Sequence, residues 1–508
     1  MFVLMVIIAL AFALILLLSS LLDLSRRTMN ILFLAGILSP IIVLVVSNTP
    51  YAEIMGGWNT VSGIEIRIVE YNLVFLMAEL IVFSIVGIYA VSYYKDETKG
   101  HMYFPIILVM HGAMMGVFMT NDLFNLFVLM ELVSVSAFAL VALSSGKNSQ
   151  QAAFRYLLFS LLTSYLFLLS IGIIYAKSGY LNFELIAQNI GSSREVDIAV
   201  GMAFVAMILK TGIFPLHFWL PDVYSESDTP ICALLAGMTR RAPIYAMLMF
   251  TLYLPMNSLS DLLLIVAFAS IFFGTVMALF QNDVWRLLAY TSIGLMGIVL
   301  VGIATGNTMG VAYYVFAHAI VTTGLFLTTG NLSDLQGTRN VRDLTYHKDV
   351  IMFSSIAILS FALGSLSPSI NAFAKAELIK GLSGYSLILF QASFVMALLV
   401  MLKMNYLLWH HDDNKPRYRT VNIRSLVSAI PAVLLVSLGL YLYPTFALID
   451  LLVIITSGAL FFIIVLFDVL EYEGVEKLGV YFKELGTSNN YYSMVLFVFL
   501  VLILIYTL

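Results

Sequence analysis

The sequence predicts an all-α polytopic membrane protein with about 14 to 16 transmembrane helices, each needing ~20 apolar residues. Hydrophobic residues make up 61% of the 508 residues and charged residues only 11%, a balance that water-soluble domains do not have. Apolar runs long enough for a span recur along the chain. Two of them are interrupted by proline and glycine, which is typical of helices that line ion pathways in transporters.

About sixteen runs satisfy the length rule of ~20 apolar residues. The opening run lacks a basic start and a small-residue cleavage site, which favours a retained first span over a removed signal peptide. Residues 350–382 are too long for one helix and too short for two helices with a loop. The predicted spans cover roughly residues 1–22, 29–47, 72–94, 103–120, 122–143, 152–176, 197–220, 230–254, 258–280, 285–305, 309–331, 350–382, 384–409, 424–443, 446–469 and 491–508.

Basic residues alternate between the two sets of loops. The even-numbered loops carry only Arg67, Lys177 and Arg194. By the positive-inside rule the odd-numbered loops are cytoplasmic and both termini lie outside. Two full spans in 350–382 would spoil this alternation, so we predict one interrupted span there. The basic residues of the odd-numbered loops are Arg26, Arg27, Lys95, Lys99, Lys147, Arg155, Arg286, Arg339, Arg342, Lys348, Lys415, Arg417, Arg419, Arg424, Lys477 and Lys483.

Each interrupted span carries a lysine beside its break. In the seventh span, LKTGIFPLHFWLP, Lys210 stands just before Gly212 and Pro215. In the twelfth, FALGSLSPSINAFAKAELIK, Lys375 follows Pro368. Proline removes a backbone donor, and a membrane helix tolerates this where protein or water satisfies the freed carbonyls. Both breaks are therefore candidate places for water within the membrane.

The two broken spans lie five spans apart, and an odd number of spans inverts the second unit relative to the first. Spans 4–8 and 9–13 are therefore candidates for two inverted five-helix repeats with broken helices 7 and 12; two unrelated proline kinks are the alternative. The loop at 48–71 is expected to form a small cap. The predicted regions are 1–100 with spans 1–3, 101–255 with the first repeat, 256–410 with the second, and 411–508 with the C-terminal spans and a short surface helix at 471–489.

Four charged residues lie inside the apolar runs, namely Glu131, Lys210, Lys375 and Glu377. A charge at mid-membrane costs at least ~2.5–3.5 kcal/mol, so it is usually paired, hydrated or used to move an ion. A buried lysine beside a carboxylate can take up and release a proton, because each group controls the charge of the other. Glu131 and Lys210 are a candidate relay pair; a structural salt bridge is the alternative.

Lys375, Glu377 and Lys380 fall within about one helical turn, where side chains two residues apart do not face each other. We expect at least one of them to line water. Glu79, in MAELIVFSIVG, is a further carboxyl that we expect near the membrane interface.

Two histidines and two arginines are further candidates. His318 lies near mid-span in YYVFAHAIVTTGLFL, and His217 follows the proline of the seventh span. Histidine titrates closest to neutral pH, so each is either a proton relay or a hydrogen-bonded packing residue. Arg240 and Arg241 keep their protons. They can fix a carboxylate or set a field, but they cannot relay protons.

The sequence offers no cofactor or metal chemistry. A single cysteine, Cys232, excludes an intramolecular disulfide and a Cys-rich iron–sulfur or zinc site. The nucleotide-binding patterns GxGxxG and GxxxxGK[ST] and the zinc pattern HExxH are missing from the sequence. The net charge is −4 and no block of like charges indicates a nucleic-acid partner.

Five motifs resemble those of one known family. They are FNLFVLMELVSVSAFALVAL, LKTGIFPLHFWLPD, RLLAYTSIGLMG, AHAIVTTGLFL and FAKAELI. They are similar, in the same order, to the antiporter-like proton-translocating subunits of respiratory complex I and the D-type subunit of Mrp antiporters. The likeness covers roughly residues 70–410 and extends to the equivalent subunits of archaeal membrane-bound hydrogenase and sulfur-reducing complexes. The resemblance implies two inverted five-helix repeats, a water-filled axis of charges and assembly in a larger complex.

The resemblance also assigns residues to that axis. Glu131 matches the helix-5 glutamate, Lys210 the helix-7 lysine, His318 the helix-11 histidine and Lys375 the helix-12 lysine.

Three residues depart from the family pattern. Arg241 and Thr322 stand where lysines are common, and Asn72 replaces the usual aspartate. The surface helix predicted before the last span has ~19 residues, or ~30 Å at 1.5 Å per residue. It is too short to contact several neighbouring subunits. The candidate ion pathway comprises Glu131, Lys210, His217, Arg241, His318, Thr322, Lys375 and Glu377.

The leading hypothesis is a subunit of the cell (plasma) membrane that translocates ions. It would move H⁺, or exchange it for Na⁺, inside a multi-subunit complex energised by a partner. The chain has no catalytic motif, so any driving redox reaction belongs to that partner. A non-pumping structural subunit, favoured by Arg241 and Thr322, is the first alternative. A stand-alone transporter of an organic solute is the second.

Overall fold

The computed structural model describes residues 2–18, 24–95, 97–256, 259–346, 349–409, 422–443 and 448–466. Ten helices in these ranges are long and apolar enough to cross a membrane, and three shorter ones are also apolar. The prediction of a helical multi-pass membrane protein is confirmed, whereas the total of 14 to 16 spans stays a prediction. The predicted surface helix at 471–489 and the last span lie outside the described residues.

The first six helices follow the predicted spans closely. They are α1 (Val3–Leu17), α2 (Arg26–Val46), α3 (Glu70–Tyr93), α4 (Glu97–Met119), α5 (Leu123–Leu143) and α6 (Ser149–Ser178).

The loop between α2 and α3 contains the two strands of the described region, β1 (Tyr51–Ile54) and β2 (Glu65–Ile68). They pair antiparallel, with Tyr51 opposite Ile68. The expected cap is therefore a β-hairpin, and its buried residues pack with apolar side chains of α1, α3 and α4.

The seventh predicted span is broken, as its proline and glycine predict. After the short α7 (Phe183–Asn189), α8 runs over Arg194–Thr211 and α9 over Trp219–Glu226. Gly212, at the break, has a φ of +70°, a conformation that costs least for glycine. A Cβ at Gly212 would also lie 2.7 Å from the side chain of Leu220.

The eighth predicted span is not one regular helix. It consists of α10 (Thr229–Leu234), a π-helical segment at Leu235–Thr239, and α11 (Arg241–Tyr253). In an α-helix the N–H of residue 243 would donate to the Thr239 carbonyl. Pro243 has no N–H, and its ring crowds this carbonyl. The wider π turn ends at this carbonyl, which gives a physical reason for the irregular segment.

The remaining helices again match the predicted spans. The twelfth span is interrupted between residues 364 and 369, as predicted, so that α15 and α16 are separate helices. The helices are α12 (Leu259–Leu279), α13 (Val284–Ala304), α14 (Thr308–Gln336), α15 (Val350–Leu363), α16 (Ile370–Ile379), α17 (Gly384–Trp409), α18 (Ile423–Leu442) and α19 (Leu448–Leu466).

The described chain forms two compact units. The first unit contains Met1–Thr211 and Glu226–Ser260, and the second contains Gly212–Ser225 and the described residues from Asp261 onward. In the second unit α13 and α14 form the core. In each of them 94% of the apolar stretch is buried inside the protein, against 39% in α18. The predicted repeat boundaries concern internal symmetry, and they stay a prediction.

Candidate ion-transfer site

The first unit holds Glu131 and Lys210 in direct contact. Lys210 Nζ on α8 donates to Glu131 Oε1 on α5 at 2.6 Å. The lysine side chain is 7% exposed and the glutamate side chain 26% exposed, so the carboxylate is the member of the pair that is open to its surroundings. Lys210 is followed by Thr211, where α8 ends. The pair therefore lies directly at the break in the seventh span.

Arg240 and Arg241 bind backbone carbonyls in the same unit. Arg240 Nε donates to the carbonyl of Thr211 at 2.7 Å, and Arg241 Nη1 donates to the carbonyl of Ala236. Both arginines are buried. A helix C-terminus carries partial negative charge and unpaired carbonyls, and Arg240 satisfies one where α8 stops. Arg241 stabilises the π-helical segment in the same way.

His217 lies in the second unit among aromatic rings. Its ring centroid is 4.8 Å from that of Phe273 and 5.6 Å from that of Phe214. The side chain is buried, and its Nδ1 has no hydrogen-bond partner among the described residues. These contacts are those of a packing residue, and a relay role for His217 stays a prediction.

Lys375 forms the second buried lysine–carboxylate pair. Its Nζ donates to Asp450 Oδ1 at 2.6 Å, and the two side chains are 3% and 1% exposed. Ser367, in the break of the twelfth span, donates to Asp450 Oδ2 with its hydroxyl at 2.7 Å and its backbone N–H at 3.2 Å. Asp450 therefore connects α19 to both the break and the lysine.

Sequence reasoning missed Asp450. Its only local signal is an acid among apolar residues in LIDLLVIIT. Glu377, by contrast, binds Lys380 at 2.6 Å, and the Lys380 side chain is 67% exposed. Thus Lys375 and Glu377 belong to two separate pairs, one buried and one exposed.

His318 and Thr322 are both buried on α14. The Thr322 hydroxyl donates to the His318 carbonyl at 2.8 Å. It also lines a small cavity with Thr291 and Ser292, with about 10 Å³ of space for the centre of a water molecule. This is close to the minimum for one water, and Thr291, Ser292 and Thr322 are the polar residues of a lining that is otherwise apolar.

Asn371 provides another polar position in the second unit. It is fully buried, one helical turn before Lys375 on α16. Neither its amide nitrogen nor its amide oxygen has a hydrogen-bond partner in the described part of the chain. Buried amides are almost always hydrogen-bonded, so a water molecule beside Lys375 is the simplest partner.

The expectation that Glu79 lies near the interface is wrong. It is fully buried on α3, and His111 Nδ1 on α4 lies 2.6 Å from its Oε1. Sequence reasoning missed His111. Asn72, in contrast, has a structural role, because its amide donates to the Phe118 carbonyl and to the Tyr245 hydroxyl.

Within the described ranges no group of three or more His, Cys, Asp or Glu side chains is arranged to hold a metal ion.

Residues 120–400 match the family described as NADH:quinone oxidoreductase/Mrp antiporter, transmembrane. This match covers more than half of the chain. The chain belongs to this family. The N-type subunit of the NADH-quinone oxidoreductase of Desulforudis audaxviator (strain MP104C) is 31% identical over 354 residues, which are 66% of this chain and 70% of that protein. The D-type subunit of the Na(+)/H(+) antiporter of Bacillus subtilis (strain 168) is 25% identical over 384 residues, 72% and 78% of the two chains.

Solved structures show the same fold. A chain of the membrane-bound sulfane sulfur reductase (MBS), an archaeal respiratory complex, superposes with a TM-score of 0.79 at 21% identity, covering 90% of this chain and 97% of that one. A chain of the Mrp complex from Dietzia sp. DQ12-45-1b gives 0.79 at 19% identity, covering 90% and 96%. The predicted resemblance is confirmed.

The family match divides the site residues into two groups. Glu131, Lys210 and Lys375 lie inside residues 120–400. Asp450 and the Glu79–His111 pair lie outside this range. The partner of the second lysine and the pair on α3 and α4 are therefore features of this chain that the family match does not cover.

Proposed function

We propose that this chain translocates ions across the cell membrane as a subunit of a multi-subunit complex. It moves H⁺, or exchanges it for Na⁺, and a partner supplies the energy. The observation that carries this proposal is the Glu131–Lys210 pair, which joins a partly exposed carboxylate to a buried ammonium at a helix break. Membership of the complex I and Mrp family supports the same function.

The pair works as a switch because each charge stabilises the other. While Glu131 is ionised, its carboxylate holds the Lys210 ammonium at 2.6 Å. A proton that reaches Glu131 from its exposed side neutralises the carboxylate, and Lys210 then loses its counter-charge. A buried ammonium without a counter-charge releases its proton more readily. Proton uptake at Glu131 thus promotes proton release at Lys210.

The second unit contains an element of the same kind. Lys375 lies beside a break and binds one carboxylate, Asp450. Waters at Asn371 and in the cavity at Thr322 would supply the bridges that a proton needs between protein groups, with His318 as a titratable member. Arg241 keeps its proton and contributes only its field.

The partners follow from the family. The Dietzia relative belongs to a complex described as Mrp, and the archaeal one to a respiratory membrane complex. We propose that this chain also assembles with other membrane subunits. We further propose cytoplasmic odd-numbered loops and both termini outside, from the distribution of basic residues.

The alternative of a structural role has two observations in its favour. Thr322 donates its hydroxyl to its own helix, and Arg241 binds a backbone carbonyl. Neither residue carries protons in that arrangement. The two functions differ in what the Glu131–Lys210 pair must do.

The test measures ion flux in vesicles that contain the assembled complex. We expect Glu131→Gln and Lys210→Ala each to reduce flux at least tenfold at unchanged yield of the complex, because each removes a titratable member of the switch. Lys177→Ala is the control, since Lys177 pairs with Glu195 at an exposed position. Normal flux in both Glu131→Gln and Lys210→Ala, at normal yield, would refute ion transfer by this pair and support the structural function.

A further inference from the structure

We infer that Glu79 and His111 form a second proton-holding site in the first unit, completed by buried water at the free atom of each side chain. The inference rests on the proposed function only for the use of this site in transport. The site itself follows from the contacts of the two side chains. It is separate from the Glu131–Lys210 pair because it lies on α3 and α4, whereas that pair lies on α5 and α8.

The two groups lie deep inside the first unit. Glu79 is nine residues after Glu70, where α3 begins, or about 14 Å along the helix at 1.5 Å per residue. This is near the middle of a span of about 30 Å. Both side chains are 0% exposed, and Oε1 and Nδ1 are 2.6 Å apart. The ring of Phe83 covers the imidazole at 4.8 Å between centroids.

Each partner has one polar atom left over. Glu79 Oε2 and His111 Nε2 are buried and have no hydrogen-bond partner among the described residues. An unsatisfied buried polar atom costs about 1–3 kcal/mol. A structural hydrogen bond alone would leave two such atoms in one pair. Water that bonds to each of them, at opposite ends of the pair, removes both costs, and it also gives the pair a route for proton exchange.

Charged and titratable residues occur on most of the elements around the pair. The carboxyl and the imidazole are in direct contact with each other. The elements packed against α3 and α4 are α1, α2, α5, α10, α11, the π-helical segment and β2, and α1 carries no titratable side chain. The other charged or titratable residues on these elements and on α3 and α4 are Arg26, Arg27, Glu65, Arg67, Glu70, Tyr71, Tyr89, Tyr93, Glu97, Lys99, His101, Tyr103, Glu131, Cys232, Arg241, Tyr245 and Tyr253.

The proton balance of the site is simple. When Glu79 Oε2 takes a proton from water, the pair gains one proton, and when Glu79 Oε2 or His111 Nε2 returns a proton to water, the pair recovers its starting number. The site can therefore accept a proton on one group and release one from the other, with no bound metal and no redox partner.

Infrared difference spectra of the intact complex in lipid, recorded between two pH values, test the site. We expect a carboxyl C=O band that changes with pH in the wild type, is lost in Glu79→Gln and shifts in His111→Gln. Ser84→Ala is the control, because Ser84 lies on the same helix and donates only to the Leu80 carbonyl. A wild-type spectrum identical to that of Glu79→Gln would overturn the proposal.

Two further measurements separate the possible failures. The Glu79 band should persist in Glu131→Gln and Lys210→Ala, so normal flux in both of these variants, at normal yield, would refute the transport function and leave this site standing. The wild-type band should also shift in D₂O, because a water-linked carboxyl exchanges its proton. This measurement uses the wild type alone, so it does not depend on the folding of any variant. A band that does not shift would show that no water contacts the carboxyl.

Discussion

Each of the two buried lysines pairs with a carboxylate, but the surroundings of the two pairs differ. The Lys210 carboxylate partner is 26% exposed, whereas the Lys375 partner is 1% exposed and accepts two further hydrogen bonds from Ser367. The carboxylate of the first pair is therefore the more accessible of the two. The second is enclosed by protein, and the unpaired amide of Asn371, one turn earlier on α16, is where we propose the water that serves it.

Replacing Asp450 by Asn should destabilise the second unit strongly. The substitution leaves the Lys375 ammonium buried without a counter-charge, and breaking a buried pair in this way costs about 3–5 kcal/mol. The yield of folded complex and its thermal midpoint in detergent measure the effect.

The double variant D450N with K375M should recover most of the loss, because the unpaired charge is gone. Glu377→Gln is the control, since it breaks the exposed pair with Lys380 and should change stability by at most about 1 kcal/mol. Equal losses for Asp450→Asn and Glu377→Gln would contradict the assignment of Asp450 as the lysine partner.

Local sequence identifies the lysines but not their partners. Lys210 and Lys375 are predictable because each stands beside a proline in an apolar run. Asp450 lies 75 residues from Lys375, and His111 lies 32 residues from Glu79. Such pairs are made by helix packing, which hydrophobic patterns do not specify. One sequence can therefore indicate a buried charge without indicating what neutralises it.

At the scale of elements, the break in the twelfth span is held in place by α18. A Cβ on Gly439 would lie 2.5 Å from the Pro368 carbonyl oxygen and 2.6 Å from the Ser369 Cα. Glycine at this point lets α18 approach the backbone of the break directly. Since Ser367 in the same break binds Asp450, this contact also positions the second lysine–carboxylate pair.

Gly439→Ala should therefore displace the break, because the added methyl meets backbone that cannot rotate away. We expect a loss of about 1–3 kcal/mol in stability, the usual cost of overpacking, together with reduced ion flux. Gly458→Ala on α19 is a matched control, since its Cβ would meet nothing within 4 Å. Similar stability and flux for both variants would show that the close approach is not needed.

Breaks are predictable where the chain itself carries the cause. Pro215 and Pro368 mark both interrupted spans in the sequence. The π-helical segment before Arg240 is not predictable in this way, because Pro243 alone does not indicate how the preceding turn adapts. The β-hairpin escapes prediction too, since its strands are only four residues long and pack against α1, α3 and α4.

At the scale of the whole molecule, the loops differ in how their basic residues are used. In the even-numbered loops, Arg67 pairs with Glu184 and Lys177 with Glu195. In the odd-numbered loops, Arg286 pairs with Asp222, and Arg339 lies over the Trp285 ring at 3.8 Å. Several basic residues thus make structural contacts in both sets of loops. The orientation rule counts all basic residues near span ends, so the surplus in the odd-numbered loops still favours a cytoplasmic location.

Cysteine labelling in intact cells tests this orientation directly. We expect Ser192→Cys, in an even-numbered loop, to react with a membrane-impermeant maleimide from outside, because few basic residues hold that loop in the cytoplasm. Asn148→Cys and Asp343→Cys, in odd-numbered loops, should react only after the membrane is opened. All three positions are exposed, and the natural Cys232 is buried, so the wild type serves as the unlabelled control. Labelling of Ser192→Cys and Asn148→Cys from the same side would contradict the alternation, because α6, with its 30 residues, would then have to leave both of its ends on one face of the membrane.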